Sequence, residues 1–201
     1  MRKLKKFAQH IVHLLYPRKC IVCDKIIKPD KFLCEDCVKF EIYTNKKCRG
    51  CSGKKCSCNL KDYVYDDCIA ALVYDGEISE AYKKFKFRGQ FSFSKYFSDK
   101  ITEIFLEKLN PEDFDLLCFV PGSHAKRKNG GYNPAKILAY EFARNINVPV
   151  SNVLKKVKKT KVQHKLKMKD RRLNVRGAYS TRYKIEGKNV LLFDDIEFDR
   201  L

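Results

Sequence analysis

The sequence lacks any hydrophobic run long enough to cross a membrane. A spanning helix needs about 18 to 20 predominantly apolar residues, and no stretch of this 201-residue chain approaches that length. The N-terminus also lacks the ordered basic, apolar and small-residue regions of a secretory signal. These absences argue against an integral membrane protein and a secreted protein, and we expect a cytoplasmic protein without a transmembrane segment.

Acidic residues are scarce relative to basic ones. Lys and Arg number 43 against 24 Asp and Glu, which gives a formal net charge of +19. Such a charge favours polyanions in general, including nucleic acid, phosphorylated metabolites and anionic membrane surfaces. Aromatic residues are not interleaved with the basic ones into a stacking platform for single strands. Charge alone therefore selects no partner, and a lysine-rich surface without any partner fits it equally well.

Cysteine, by contrast, is abundant and regularly spaced near the N-terminus. The first three pairs have the C-x-x-C spacing, and ten residues separate each pair from the next. A C-x-x-C turn directs two sulfurs to one point, and two such turns complete a tetrahedral zinc site. Eight cysteines therefore predict two zinc ions, with these ligands: Cys20, Cys23, Cys34, Cys37, Cys48, Cys51, Cys56 and Cys58.

A disulfide framework is the alternative interpretation of this pattern. It would require an oxidising compartment, which the missing signal peptide argues against, so we favour zinc. The two sites are either sequential or interleaved along the chain, and sequential sites are the simpler arrangement. All four coordination positions of each ion would be occupied by protein sulfur, so the zinc would be structural rather than catalytic. Cys68 and Cys118 lie in apolar runs outside the pattern, and we expect both to be buried.

The remainder of the chain predicts an α/β domain. Apolar runs at 68–74, 116–120 and 190–193 are typical of buried strands, and the segment GAYSTRY before the last of them is typical of an edge strand or hairpin arm. Apolar residues from 97 to 105 recur at helical spacing, and Asn133-Pro134 marks the start of another helix. Strands that alternate with helices predict a mostly parallel sheet.

Two segments of this domain are candidates for ligand binding. One is the loop after the strand 116–120, where a basic, glycine-bearing segment precedes a helix start and suits an anion. The other is Asp194-Asp195 directly after the strand 190–193, where carboxylates suit sugar hydroxyls or a metal-bound ligand. Between them, the cation-rich run 154–177 is either an exposed loop or a loop that closes over a polyphosphate.

These segments together resemble the ComF/GntX family, bacterial competence-associated proteins with a double zinc ribbon and a type I phosphoribosyltransferase-like domain. The resemblance covers roughly residues 11–195, and the blocks that carry it occur in the family's order: LLYPRKCIVC, FLCEDC, KFRGQ, GGYNPAKILA, the T-x-x-Q-x-x-L run from Thr160 to Leu166, RRLNVRGAY and VLLFDD.

The resemblance implies a phosphoribosyl pyrophosphate site with Mg²⁺ as a possible companion. Asp194 and Asp195 would hold the ribose hydroxyls as the catalytic acid pair. The loop after the strand 116–120 would face pyrophosphate, and a mobile loop would cover the ligand. The ligand-binding residues would then be these: Ser123, His124, Lys126, Arg127, Thr160, Gln163 and Arg172.

The residues after the acid pair depart from the family pattern. The family has a threonine- and glycine-rich loop there, whose backbone amides cradle the 5′-phosphate, whereas this chain reads IEFDRL to residue 201. Glu197 and Asp199 would repel a phosphate, since a like charge about 4 Å away costs about 4 kcal/mol at an effective dielectric constant near 20. We therefore expect an incomplete site that binds the 5′-phosphate weakly, in a chain that looks truncated.

The predicted organisation has three parts. Residues 1–19 form an amphipathic N-terminal helix, 20–60 the double zinc ribbon, and 61–201 an incomplete phosphoribosyltransferase-like domain. The expected function is that of a ComF-like protein associated with competence and DNA uptake, with single-stranded DNA, a competence-machinery protein or a phosphorylated ribose as partner. The alternatives are a non-enzymatic zinc-ribbon accessory protein that binds nucleic acid, and an inactive truncated copy.

Overall fold

The computed structural model describes residues 15–40, 65–66, 68–122, 131–161, 166 and 168–195. These residues divide into two compact units, one that ends at Tyr96 and one that begins at Phe97. The regular elements of the first unit are a short 3₁₀ helix, Val38–Phe40, the helix α1, Gly76–Arg88, and the start of α2, Ser92–Leu106. None of the helices formed by the described residues is both long and apolar enough to cross a bilayer.

Helix α1 provides the apolar face of the first unit. Its buried residues Ile78, Ala81, Tyr82 and Phe85 recur at the three- and four-residue spacing that places them on one side of a helix. The helix ends at Gly89, whose φ of +67° is a left-handed conformation that glycine adopts without a steric penalty. The KFRGQ block therefore contains a helix end and its cap.

Aromatic contacts connect the cysteine-bearing loops of the first unit to the start of α2. The ring of Phe32 lies 5.8 Å from that of Tyr96 between centroids, and the guanidinium of Arg18 lies 4.8 Å from the Phe32 ring centroid. Tyr96 is buried. The loops therefore pack on a small aromatic core in addition to any metal that they hold.

The second unit contains two parallel strands, and the first of them has a partner on both of its edges. Strand β1, Leu116–Phe119, pairs in parallel with β4, Val190–Phe193, in the register Leu116 with Val190. On its other edge β1 makes a parallel bridge from Leu117 to Val150. Helix α3, Pro134–Ile146, packs against β1. The described residues thus confirm a mixture of helices and parallel strands.

The core of the second unit is aromatic. Phe142 of α3 lies 5.2 Å from Phe105 of α2 and 5.7 Å from Phe193 of β4 between ring centroids. Phe105 also contacts Phe114, just before β1. Asn145 of α3 donates hydrogen bonds to side chains of α2, 3.0 Å from Thr102 Oγ1. The core therefore fixes β1 and β4 beneath two helices.

An antiparallel pair completes the second unit. Strand β2, Leu154–Lys156, pairs with β3, Tyr179–Thr181, and places Lys156 opposite Tyr179. The helix α4, Met168–Val175, precedes β3. The run 154–177, predicted as a loop, therefore begins with a strand and contains a helix. The predicted arm GAYSTRY is confirmed, because its residues 179–181 form β3.

The segment 68–74 was predicted as a buried strand, and this prediction is wrong. Its only residue with a bridge is Leu72, and Val73 and Tyr74 are exposed. A run of apolar residues indicates burial without supplying a partner strand, and a strand requires one. The strands at 116–119 and 190–193 and the helix that begins at Pro134 are confirmed. The predicted helical spacing from 97 to 105 is also confirmed, by α2.

Candidate functional site

Two backbone turns build a cysteine cluster in the first unit. The first turn is closed by an antiparallel bridge between Lys19 and Ile26 and by the hydrogen bond from the Cys20 N–H to the Lys25 carbonyl oxygen, 2.8 Å. In the second, the Cys37 N–H donates to the Cys34 carbonyl oxygen at 3.0 Å. Both turns contain a C-x-x-C pair, so each brings two sulfurs to the same side.

The four sulfurs have the spacing of a tetrahedral metal site. The ligand atoms of Cys20, Cys23, Cys34 and Cys37 all lie within 4.8 Å of one another, and the Sγ atoms of Cys23 and Cys34 are 3.7 Å apart. Four sulfurs at about 2.3 Å from a central zinc would lie about 3.8 Å from each other. The arrangement fits a structural zinc ion, and it is the grouping that sequential sites would use.

Hydrogen bonds from the backbone prepare Cys20 to act as a thiolate ligand. Burial raises the pKa of the Cys20 thiol, but hydrogen bonds from the N–H groups of Cys23, Cys34 and Val22 outweigh burial and lower the pKa to about 7. Metal ligation requires the thiolate. The turn therefore favours the charged form of this ligand near neutral pH before any metal adds its own charge.

The four cysteines of the cluster differ in their exposure to solvent. Cys34 and Cys37 are buried together with Cys20, whereas Cys23 is exposed. The ammonium of Lys25 forms an ion pair with Asp36 at 3.2 Å. The pKa of Lys25 is raised by that hydrogen bond and by negative charge on Cys34 and Cys23. Solvent therefore reaches the cluster at Cys23.

The other predicted ligands and cysteines have different outcomes. Cys48, Cys51, Cys56 and Cys58 lie outside the described residues, so the second zinc stays a prediction. Cys118 is buried as predicted, at 3% exposed, and burial raises the pKa of its thiol. Cys68 is half-buried. The six described cysteines form no disulfide.

A second candidate site lies in the other unit, at the carboxyl ends of β1 and β4. The N–H of Val120, just after β1, donates to the carbonyl oxygen of Phe193 at 2.9 Å, so the two strands end together. Asp194 and Asp195 follow β4 directly, and the N–H of Asp195 donates to Asp194 Oδ1 at 2.8 Å. That contact fixes one oxygen of the Asp194 carboxylate at the strand end.

Asn133 connects the other strand to the start of α3. Its Nδ2 donates to the Val120 carbonyl oxygen at 2.9 Å instead of capping the helix with its side chain. A Cβ atom on Gly122 would lie 3.5 Å from Asn133 Cγ, at ordinary van der Waals distance. The asparagine of the GGYNPAK block therefore fixes the direction in which the chain leaves β1.

Lys156 and Tyr179 lie opposite each other in the antiparallel pair, and Lys156 contacts the predicted ligand-binding residue Thr160. Lys156 Nζ donates to Thr160 Oγ1 at 2.6 Å and lies 5.5 Å from the Tyr179 ring centroid. Burial raises the pKa of Tyr179, and the negative charge of Asp194 raises it further. Lys156 is part-buried, and burial lowers its pKa. Lys156 therefore joins Thr160 to Tyr179, and the charge of Asp194 acts on the Tyr179 hydroxyl.

The sequence analysis assigned no role to Lys156 or to Tyr179. Lys156 is one of many lysines in the cationic run 154–177, and only its pairing opposite Tyr179 distinguishes it. Five predicted ligand-binding residues lie outside the described residues: Ser123, His124, Lys126, Arg127 and Gln163. Arg172 lies in α4. The described part of the site thus contains Thr160, Asp194 and Asp195 from the predicted set.

Comparison with known proteins gives one informative match. The chain is similar to "Competence protein F" of Haemophilus influenzae, with 26% identity over 192 residues, which covers 92% of this chain and 80% of that protein. This match confirms the resemblance to the ComF family that the ordered sequence blocks indicate. No family model matches the chain, and no solved structure matches it.

The match to this competence protein extends over most of the chain. A match across 92% of the chain cannot be confined to the residues that surround the cysteine cluster or to those that form the strand-end site. At 26% identity it assigns no role to a single residue. The role of each side chain in the two candidate sites therefore depends on its own chemistry and contacts.

Proposed function

We propose that this ComF-family chain is a phosphoribosyltransferase-like protein that binds phosphoribosyl pyrophosphate at the carboxyl ends of β1 and β4. The observation that carries the proposal is the acid pair Asp194-Asp195, directly after β4 and beside the parallel strand β1. Ligands of open parallel sheets bind beyond the carboxyl ends of the strands. The position and chemistry of the pair both suit a ribose.

The two carboxylates would hold the ribose hydroxyls. Ionised carboxylates are acceptors only, and a vicinal diol offers two O–H donors. One oxygen of Asp194 accepts from the Asp195 N–H, which orients the carboxylate at the end of β4. When Mg²⁺ accompanies the ligand, it neutralises pyrophosphate charge and prefers oxygen ligands such as these carboxylates.

The positive side of the site would face the pyrophosphate. Lys156 places a part-buried ammonium beside Thr160, and an ammonium removed from bulk water interacts more strongly with an anion than an exposed one does. The family pattern adds further pyrophosphate contacts from Ser123, His124, Lys126 and Arg127. By the same pattern Gln163 would lie on the covering loop, whereas Arg172, expected on that loop, lies in α4.

The site is proposed as incomplete at the 5′-phosphate. Glu197 and Asp199 follow the acid pair where the family pattern has small residues, and consecutive backbone N–H groups converge on a phosphate most readily when those residues are small. The ribose and the pyrophosphate would therefore contribute most of the affinity.

The zinc-binding part and the strand-end site would belong to one protein of DNA uptake. We propose a double zinc ribbon over 20–60, preceded by an N-terminal helix over 1–19 and followed by the phosphoribosyltransferase-like domain over 61–201. A role in competence is supported by the name of the Haemophilus influenzae relative.

We expect phosphoribosyl pyrophosphate with Mg²⁺ to raise the melting temperature of the zinc-loaded protein. At a ligand concentration 100 times Kd, binding stabilises the folded state by about 2.7 kcal/mol, which corresponds to about 5 to 10 °C for a chain of this size. The Asp195→Asn variant should lose most of this shift, because an amide carries no charge and donates as well as accepts. Differential scanning fluorimetry measures both proteins.

Asp113→Asn is the matched control. Asp113 is exposed and precedes β1, at the opposite end of the strand from the acid pair, so this variant should keep the full shift. Ribose 5-phosphate and pyrophosphate, each alone with Mg²⁺, separate the two halves of the ligand. A melting temperature that none of the three compounds changes would overturn the proposal.

The second candidate is a non-enzymatic accessory protein that binds single-stranded DNA. The observation that favours it is the formal charge of +19, which two zinc tetrathiolates of charge about −2 each would lower only to about +15. A polyanion is attracted at long range by such a field. This function and the ribose site are compatible within one protein.

DNA binding of this kind has a steep salt dependence. For about five phosphate contacts, the affinity for a single-stranded oligonucleotide should fall about a hundredfold between 50 and 200 mM salt, because each contact releases counterions. Fluorescence anisotropy with a labelled oligonucleotide measures the affinity. Weak binding that does not depend on salt would contradict the accessory function and would leave the proposed ribose site unaffected.

A further inference from the structure

A lysine of helix α1 makes direct contact with the first C-x-x-C turn. Lys84 Nζ donates to the carbonyl oxygen of Val22 at 3.1 Å and to Asp24 Oδ2 at 3.0 Å. Its side chain is 18% exposed, whereas that of its neighbour Lys83 is 46% exposed and pairs with Glu80 on the same helix. Lys84 is therefore the cation that α1 directs at the turn.

The carbonyl group that Lys84 binds belongs to a peptide with a second role. Val22 C=O and Cys23 N–H are parts of one planar trans peptide, in which the two groups point in opposite directions. The N–H end donates to the Cys20 sulfur. Lys84 and the Cys20 sulfur thus contact opposite ends of the same peptide, and a cation at the oxygen end polarises the N–H toward the sulfur.

The turn would be harder to maintain without this contact. Asp24 has a φ of +60°, an uncommon conformation for any residue other than glycine, and its N–H donates to the Cys20 carbonyl oxygen at 3.0 Å. Lys84 binds on both sides of Cys23, at the residue before it and the residue after it. Both cysteines of the pair are thereby held in one orientation.

We propose that Lys84 is a positioning residue of the metal centre, which acts on Cys20 through the Val22–Cys23 peptide and holds the residues on both sides of Cys23. A zinc tetrathiolate carries a charge of about −2, so N–H donors that are held on its sulfurs stabilise the metal-bound state. Partners of metal ligands at this distance alter metal affinity by about 10- to 100-fold when they are removed. This inference is independent of the proposed ribose site.

The experiment compares rates of zinc transfer from the full-length, zinc-loaded protein to a chromogenic chelator. The phase that belongs to this site is the one that a Cys34→Ser variant lacks. We expect Lys84→Met to accelerate zinc transfer in that phase about tenfold. Lys84→Arg should return the rate most of the way to that of the unmodified protein, and the matched control Lys83→Met should leave the rate unchanged.

Two further measurements separate this role from a simple surface ion pair. Asp24→Asn removes the carboxylate charge and keeps a residue that tolerates positive φ, so it should accelerate zinc transfer less than threefold. The melting temperature of the zinc-stripped protein should be the same for Lys84→Met and Lys83→Met. The proposal is overturned if Asp24→Asn matches Lys84→Met, if Lys84→Met matches Lys83→Met, or if Lys84→Met destabilises the zinc-stripped protein.

Discussion

Replacement of Cys34 by serine should remove about one equivalent of zinc from the purified protein. Cys34 is buried, and its sulfur lies 3.7 Å from that of Cys23, so its replacement leaves the tetrahedral site one thiolate ligand short. A structural zinc contributes on the order of 10 kcal/mol to folding. We therefore expect rapid proteolysis between residues 15 and 40 in the variant. Atomic absorption and limited proteolysis measure the two effects.

Cys118→Ala is the control for a general effect of cysteine loss. Cys118 is buried in β1, outside the cluster, so this variant should keep its full zinc content while its overall stability falls slightly. The metal assignment fails if Cys34→Ser retains all of its zinc, or if Cys118→Ala loses an equivalent.

Replacement of Phe142 by alanine should destabilise the second unit by about 3 to 5 kcal/mol, since a buried phenylalanine contributes both transfer energy and packing. Phe142 is 3% exposed and contacts Phe105 and Phe193. This loss is a large share of the 5–15 kcal/mol that is usual for a domain. Because the chain has no tryptophan, urea unfolding is best followed by circular dichroism.

The matched control is Tyr140→Ala in the same helix. Tyr140 is 44% exposed and its ring centroid lies 6.2 Å from that of Phe119, so its loss should cost about 1 kcal/mol. Phe193 directly precedes Asp194, and Phe142→Ala should therefore also reduce the stabilisation by ligand at the acid pair. Equal effects of the two substitutions would contradict the assignment of Phe142 to the core.

Local sequence patterns correctly predicted the elements that are determined by residues close together in the sequence. The strand 190–193 and the helix that begins at Pro134 follow from short runs with strong propensities and clear boundaries. The cysteine cluster is equally local, because Cys20 and Cys37 lie within one short segment. In each of these cases the residues that decide the structure are neighbours in the sequence.

Contacts between distant residues were not predictable in the same way. The partner of Lys84 lies 60 residues away, and the pairing of Lys156 with Tyr179 depends on the register of two short strands. The failed strand at 68–74 has the same origin, because both burial and strand pairing depend on what the rest of the chain places against the segment. The residues that support a site are thus harder to find from sequence than those that form it.

The separation of Asp24 and Lys84 along the chain also sets the time between their appearance during synthesis. Ribosomes add about 5–20 residues per second, so a lysine 60 residues downstream emerges about 3 to 12 seconds after the turn that it contacts. Cys37 leaves the ribosome 47 residues before Lys84, so all four clustered cysteines would be available to bind zinc before α1 is complete. Helix α1 would then pack on a turn that already holds its ion, and Lys84 would slow the release of that ion.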